Sequence, residues 1–129
     1  MRYDERPIQA PIPDPTTESF WHAAREGRLM LGLCNDTGRH FFPPRGVSPF
    51  TLSTNVELVE SGGRGVLYSY TVMRTREPYI PAMVELAEGP RIFTNLVQVA
   101  PEDVRIGMAL RVEFVPTADG PPVPMFTPG

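Results

Sequence analysis

Alternation of apolar and polar positions predicts that the chain is mainly β-structure. The clearest segment is 66–72, where Val66, Tyr68, Tyr70 and Val72 share one face of a strand, and we expect that face to fill a core. Further short strands are predicted at 29–34, 56–59, 82–86, 91–99 and 110–115. Short strands separated by frequent turns favour a small barrel or sandwich, and a five-stranded OB barrel matches the count.

One helix is predicted ahead of these strands. Asp14 fits an N-cap, Pro15 fits the first helical position, and Gly27 fits the end of a helix that runs to residue 26. Within it, Phe20 and Trp21 give the helix two adjacent aromatic side chains. This segment is therefore expected to pack on the barrel or to present an aromatic surface.

Proline punctuates the chain strongly, with 16 of 129 residues. Prolines cluster around residues 7–15, 43–49, 78–90 and 116–128, which leaves little room for long helices. The predicted organisation is an N-terminal arm and helix over residues 1–28, an irregular region over 29–55, and a barrel with a proline-rich C-terminal tail over 56–129.

Charge and composition narrow the function classes. Twelve basic residues against fifteen acidic ones give a formal charge of −3, and no lysine is present, which argues against nucleic-acid binding. The single cysteine excludes a disulfide framework. The polar N-terminus lacks the apolar core of a signal peptide, and no apolar run is long enough to span a membrane. A cytoplasmic protein is therefore expected.

Catalytic motifs are not found. The chain has no G-x-S-x-G motif and no pair of carboxylates, or of nucleophile and base, at a telling spacing. Cys34 with His22 or His40 is one possible thiolate pair, although a buried apolar cysteine is the favoured interpretation. The glycine-rich segment 62–65 lies between two predicted strands, which indicates a hairpin turn and not a phosphate loop. We therefore predict no catalytic residue.

Two short segments have the spacing of zinc knuckles but lack the ligands. Cys34 is followed at the knuckle distance by Thr37, and Ser48 is followed by Thr51. A structural zinc site needs four thiolate or imidazole ligands, and neutral hydroxyls do not replace them. His40 alone cannot complete the set. The prediction is that no metal and no other cofactor binds, because Cys34 is the only remaining ligand of the four positions.

Further stretches accompany the knuckles in order along the chain: Pro13-Asp14, Phe20-Trp21, Gly27-Arg28-Leu29, Gly38-Arg39, Phe42-Pro43-Pro44-Arg45, segment 61–71, segment 85–91, Ile106-Gly107-Met108 and Pro124-Met125-Phe126. In this combination the chain resembles the zinc-ribbon/OB-fold family of acyl-CoA-associated proteins called domain of unknown function 35. The resemblance implies a mainly β fold with an N-terminal helix, a rubredoxin-like zinc ribbon, degenerate here over 29–55, and a C-terminal five-stranded OB barrel. The ribbon loop is then expected to be held by Phe41, Phe42 and Phe50.

The resemblance also implies a function. Members of the family resemble partners of thiolases, ketoacyl synthases, hydratases and aldolases, so the chain is expected to be a non-catalytic accessory subunit of such an acyl-CoA enzyme. The candidate partner-interface residues are Phe20, Trp21 and Phe126. The candidate CoA-binding residues are Arg64, Arg74, Arg76 and Arg91. The main alternative is a stand-alone acyl-CoA-binding protein, ahead of a single-strand nucleic-acid binder and a small enzyme.

Overall fold

The computed structural model describes residues 7–129, so residues 1–6 of the predicted N-terminal arm lie outside the described part. The described chain contains the helix α1 (Glu18–Arg25), a short 3-10 helix (Pro101–Asp103), and the strands β1 (Met30–Cys34), β2 (Arg39–Phe41), β3 (Val56–Glu60), β4 (Arg64–Tyr70), β5 (Ile80–Leu86), β6 (Arg91–Leu96), β7 (Ala109–Val115) and β8 (Val123–Pro128). No helix among residues 7–129 is long and apolar enough to cross a membrane.

The helix α1 begins later than the sequence predicted. Asp14 caps a preceding turn, since its Oδ1 accepts hydrogen bonds from the backbone N–H groups of Thr16 (2.8 Å) and Thr17 (3.0 Å). The C-terminal end is as predicted, with Gly27 at φ +76°. There the N–H of Arg28 donates to the carbonyl of Ala23 (3.0 Å), which is a Schellman closure.

The region after the helix forms a three-stranded sheet in the order β2-β1-β3. Close packing explains a glycine in β1, because a Cβ atom on Gly32 would lie 2.3 Å from the ring of Phe41. The sequence placed residues 56–60 in the barrel. The structure corrects this boundary, since β3 pairs with β1 over its whole length, from Met30 opposite Glu60 to Cys34 opposite Val56.

The remaining five strands close a barrel in the order β4-β5-β6-β8-β7. This confirms the predicted five-stranded closed barrel. Its interior is filled by fully buried aliphatic and aromatic side chains: Leu67, Ile80, Val84, Ile92, Leu96, Leu110 and Phe126. Ala23 and Phe20 of α1 join the same buried cluster, so the helix packs against the barrel and its sheet neighbours.

The predicted C-terminal coil is wrong over its second half, because β8 completes the barrel. The carbonyls of Pro124 and Phe126 face β6, where they accept hydrogen bonds from Thr94 Oγ1 (2.9 Å) and the N–H of Val97 (2.9 Å). Alternation along a strand then directs the missing N–H of Pro124 and Pro128 toward β6 as well. The hydrogen bonds from β8 to β7 are therefore preserved, and the prolines are tolerated.

The assignment of inner and outer faces on β4 is also corrected. Leu67 points into the barrel, whereas Val66, Tyr68 and Tyr70 are 41%, 49% and 38% exposed. A register shift between Leu67 and Ser69 accompanies this arrangement. Val66 and Tyr68, which the sequence assigned to the core, therefore lie on the outer surface. Tyr70 follows the register shift and lies opposite the buried Ala82, on the inner side of the sheet.

Phe126 lies at the centre of the barrel, and its truncation should be costly. We expect Phe126→Ala to lower the free energy of unfolding by about 3–5 kcal/mol, because it removes a fully buried ring and leaves a cavity. Phe93→Ala is the matched control, since Phe93 is 74% exposed, and should cost less than about 1 kcal/mol. Urea denaturation of both variants measures the difference, and equal losses would contradict this packing.

Candidate functional site

The two predicted knuckles have the same backbone geometry. In the first, the N–H of Gly38 donates to the carbonyl of Cys34 (2.7 Å), and Gly38 has φ +74°. In the second, the N–H of Leu52 donates to the carbonyl of Ser48 (2.9 Å), and Leu52 has φ +65°. The turns are thus equivalent, although the second has a leucine where the conformation favours glycine.

Hydroxyl groups surround the one thiol between these knuckles. Ser48 Oγ donates to Cys34 Sγ (3.1 Å) and accepts from the N–H groups of Phe50 (3.1 Å) and Thr51 (3.2 Å). Ser48 and Cys34 are both completely buried. Hydrogen bonds from Ser48, and then from Thr37, lower the pKa of the Cys34 thiol from its ordinary value of 9.0 to about 7. The partners of Cys34 are therefore hydroxyls and backbone N–H groups, not a histidine.

A carboxylate in the first knuckle contacts the second. Asp36 Oδ2 accepts from Ser53 Oγ (2.6 Å) and Thr51 Oγ1 (3.1 Å), and Oδ1 accepts from Asn55 Nδ2 (2.9 Å). The hydrogen bonds from Ser53, Asn55 and Thr51 hold the pKa of Asp36 below its ordinary value. Across residues 7–129, no group of three or more histidine, cysteine, aspartate or glutamate side chains could hold a metal ion.

The three phenylalanines expected to hold the ribbon divide between two places. Phe41 and Phe50 are in edge contact, with ring centroids 6.2 Å apart, and the guanidinium of Arg39 stacks 3.9 Å above the Phe50 ring. Phe42 instead contacts Phe20 of α1, at 5.8 Å between centroids. Two of the predicted rings therefore pack within the ribbon, and the third joins the ribbon to the helix.

An apolar groove of about 560 Å³ lies between α1, the segment after β2 and the barrel. Its walls include Phe20, Trp21, Phe42, Phe93 and Pro124, and none of its described lining residues is charged. The structure thus places two predicted interface residues, Phe20 and Trp21, in one groove. It does not place the third there, because Phe126 is completely buried inside the barrel.

A second apolar surface is continuous with this groove. We call it the outer face: Val66 and Tyr68 of β4, Met83 of β5 and Phe93 of β6, with the Arg91–Glu85 ion pair on the same side of the sheet. Met83 lies directly opposite Phe93 across the β5–β6 pair, and Phe93 also lines the apolar groove. The sequence analysis missed Phe93. Its alternation with Ile92 and Thr94, both buried, could have indicated an outward-facing aromatic side chain.

The four arginines predicted to bind CoA do not form one cluster. Arg64 begins β4 and Arg91 begins β6, at the end of the barrel where the β5–β6 turn lies. Arg74 and Arg76 follow the other end of β4. Arg91 stacks on the Tyr68 ring at 3.8 Å. The predicted set is thus divided between the two ends of the barrel.

A different arginine cluster is formed where the ribbon meets the barrel. This basic groove, of about 520 Å³, has Arg39, Arg45 and Arg91 in its walls, together with His40, Phe42 and one carboxylate, Glu88. That carboxylate accepts hydrogen bonds from Ser61 Oγ (3.0 Å) and the N–H of Gly62 (2.8 Å). Sequence reasoning missed Arg39 and Arg45, since their proximity to Arg91 depends on the tertiary fold.

A knuckled three-stranded ribbon joined to a closed five-stranded barrel defines the class of zinc-ribbon/OB-fold proteins. Family models for the "ChsH2, rubredoxin-like zinc ribbon domain" and the "ChsH2, C-terminal OB-fold domain" match residues 21–48 and 58–115. A "DUF35 domain-containing scaffold protein" from Methanocaldococcus jannaschii is 33% identical over 103 residues, which cover 73% of each chain. The chain belongs to this DUF35 family of ChsH2-type zinc-ribbon/OB-fold proteins.

Two further relatives carry names from acyl-CoA and aldolase chemistry. A "Probable enoyl-CoA hydratase alpha subunit" from Thermomonospora curvata is 36% identical over 119 residues, which cover 85% of this chain. The match spans only 37% of the length of that protein. A solved structure titled "Ltp2-ChsH2(DUF35) aldolase" has a TM-score of 0.79 and 31% identity, and covers 92% of this chain and 98% of the matched one.

The Ser48 hydroxyl controls the ionisation of Cys34 in this arrangement. Ser48→Ala removes the largest contribution to the lowered pKa, so we expect the Cys34 pKa to rise from about 7 toward 9.0. Ultraviolet absorbance of the thiolate across a pH titration measures this shift. Thr51→Val is the matched control, because Thr51 Oγ1 bonds Asp36 and not the thiol, and an equal shift in both variants would contradict the assignment.

Proposed function

We propose that this chain is a non-catalytic accessory subunit of an acyl-CoA enzyme of the aldolase, hydratase or thiolase/ketoacyl synthase type, where it stabilises its partner and helps to shape acyl-CoA binding. The observation that carries the proposal is the outer face with its adjoining apolar groove. The relatives support the same direction, since they are named as a scaffold protein, a hydratase subunit and an aldolase assembly. The reaction and the substrate of the assembled enzyme are proposed here together with the accessory role.

The outer face has the composition of a protein interface. Phe93 is 74% exposed on β6, and Tyr68 is 49% exposed at the register shift of β4, where Arg91 stacks on its ring. Contiguous exposed apolar surface marks interaction sites, and buried aromatic residues provide most of the binding energy at such sites. A rigid barrel wall also loses little conformational entropy on association, because its side chains are already positioned by β4, β5 and β6.

The apolar groove suits an inserted side chain from the partner subunit. Trp21 is half-buried at its wall, and its ring meets the Phe20 ring edge-on at 4.8 Å. Since no described lining residue is charged, an aromatic or aliphatic side chain could enter without stranding a charge. The groove and the outer face share Phe93, so one partner surface could cover both.

The chemistry of the described residues favours an accessory role over a catalytic one. Cys34 is buried among hydroxyls, and His40 lies on β2 in the wall of the basic groove. A nucleophile needs a base within hydrogen-bond reach. The thiol–histidine pair considered from the sequence has no such contact among the hydrogen bonds of Cys34, which are made by Ser48 and Thr37.

Loss of the exposed ring should uncouple the partner without unfolding the chain. We expect Phe93→Asp to lower recovery of a co-purifying acyl-CoA enzyme subunit at least tenfold, because a charge would be buried at the centre of the interface. The measurement is affinity purification of the tagged full chain from its native cell, with quantitative mass spectrometry of stoichiometric partners.

The matched control for this experiment is Phe93→Tyr, which keeps the aromatic surface and should retain the partner. Thermal melting of both variants tests that the fold is intact. A stoichiometric hydratase, aldolase or thiolase-type subunit that binds the Phe93→Asp chain undiminished would contradict the proposed interface. Absence of any such subunit from the wild-type purification would contradict the accessory function itself.

A stand-alone acyl-CoA-binding protein is the second candidate, and one observation favours it. The uncharged apolar groove and the basic groove share Phe42, so a ligand with an apolar chain and a phosphorylated end could occupy both. Arg39, Arg45 and Arg91 supply guanidinium groups of the kind that bind phosphates in a bidentate manner. Of the arginines first proposed for CoA, Arg91 alone lines this groove.

This second candidate predicts that CoA binding depends on position and not on total charge. We expect Arg39→Gln with Arg45→Gln to weaken CoA binding to the isolated chain at least tenfold, because two phosphate-binding groups are lost. Arg74→Gln with Arg76→Gln makes the same change in net charge away from the groove and should leave the affinity unchanged. Isothermal titration calorimetry with CoA distinguishes them, and equal losses would count against the site.

A further inference from the structure

The ligand set of the ribbon does not fit a zinc ion, so other interactions must close the ribbon. In zinc ribbons, one ion bound by four thiolate or imidazole ligands crosslinks two knuckles and contributes much of the folding energy. The corresponding positions here are one thiol, Cys34, and three neutral hydroxyls, Thr37, Ser48 and Thr51. The donor set therefore cannot provide the charge or the softness that zinc requires.

The hydroxyl at position 48 is engaged in hydrogen bonds that replace a metal bond. Ser48 Oγ accepts two backbone N–H groups of its own knuckle and donates to the sulfur of the other knuckle. Its donor and its two acceptor sites are thus all used. A zinc ion could bind this oxygen only by displacing N–H groups that are otherwise satisfied in a buried setting.

A carboxylate supplies the second crosslink. Asp36 lies in the first knuckle and accepts three side-chain hydrogen bonds. All three donors follow Ser48, the first residue of the second knuckle: Thr51, Ser53 and Asn55. One backbone bond reinforces the same closure, from Asn35 N–H to the carbonyl of Asn55 (3.0 Å), and a second, from Ser48 N–H to the carbonyl of Ser53 (2.8 Å), closes the second knuckle on itself. Charge-assisted hydrogen bonds are stronger than neutral ones, which suits a structural link.

We propose that this chain has a metal-independent ribbon, in which the Ser48–Cys34 hydrogen bond and the Asp36 carboxylate hold the two knuckles together where relatives of its class would use zinc. The equivalent backbone turns at Cys34 and Ser48 show that the knuckle geometry persists without four ligands. This inference concerns the folding of the chain and is independent of its proposed partner or ligand.

The first test is the metal dependence of the full-length chain. The wild-type protein, purified without added metal, should contain far less than one zinc per chain by inductively coupled plasma mass spectrometry. Its thermal melting temperature should be unchanged by EDTA and by stoichiometric zinc. One tightly held zinc per chain, or a melting temperature that falls with EDTA, would overturn the proposal.

The second test removes the crosslinks one at a time. Asp36→Ala should lower the melting temperature by roughly 5–10 °C, because three donors lose their acceptor, and Ser48→Ala by a similar amount. Asp119→Ala, at an exposed position, is the matched control and should change it by less than about 2 °C. Thr51→Val removes one donor and should have an intermediate effect, which keeps the test valid if a stronger variant fails to fold. If Thr51→Val and Asp36→Ala both changed the melting temperature no more than the Asp119→Ala control does, the proposal would be overturned.

The third test converts the closure back to a metal site. Restoring thiols in the triple variant T37C/S48C/T51C should give a chain that binds one zinc, and the variant should now melt at lower temperature when EDTA is added. Cobalt substitution should give the visible spectrum of tetrahedral thiolate coordination. A triple variant that melts as a folded protein yet binds neither ion would show that the turns lack knuckle geometry, which would overturn the equivalence on which the proposal rests.

Discussion

The structure depends most on the closure of the barrel by its last strand. β8 lies between β6 and β7, parallel to the first and antiparallel to the second, and places Phe126 at the centre of the core. Without it, two strand edges would be open and the aliphatic interior would face solvent. The outer face is carried by β4, β5 and β6, and the apolar groove has β6 in one wall. Both surfaces therefore depend on the closed barrel, which fixes these three strands in place.

The ribbon and the helix are attached to that barrel by side-chain packing and by the hydrogen bonds of Glu88, and not by continuous sheet. Phe20 is buried with the barrel core, and Phe42 of the segment after β2 contacts its ring. This contact sets the position of the knuckle region relative to β6, and so determines that Arg39 and Arg45 lie near Arg91. The apolar groove and the basic groove are thus properties of the junction, and neither half of the chain contains them alone.

Local pattern was sufficient for four of the five barrel strands, the helix end at Gly27 and the knuckle spacing, since these follow from alternation and glycine conformation. The local pattern was not sufficient where one pattern is compatible with two different arrangements of the side chains. Alternation in β4 is the same whether Leu67 or Tyr68 faces inward, and only the barrel interior decides. The prolines of residues 116–128 led to the prediction of a coil in place of β8. They are compatible with a strand because they face β6 and leave the pairing with β7 intact. The arginine cluster could not be predicted either, since residues 39 and 91 meet only across the junction.

Phe42 gives the molecule a property that neither groove has by itself. This residue lines both the apolar groove and the basic groove. The two grooves therefore share one wall residue, whose ring also packs against Phe20 of α1. If an occupant of either groove shifts this ring, thermodynamic reciprocity requires that the two occupants change each other's affinity by the same factor.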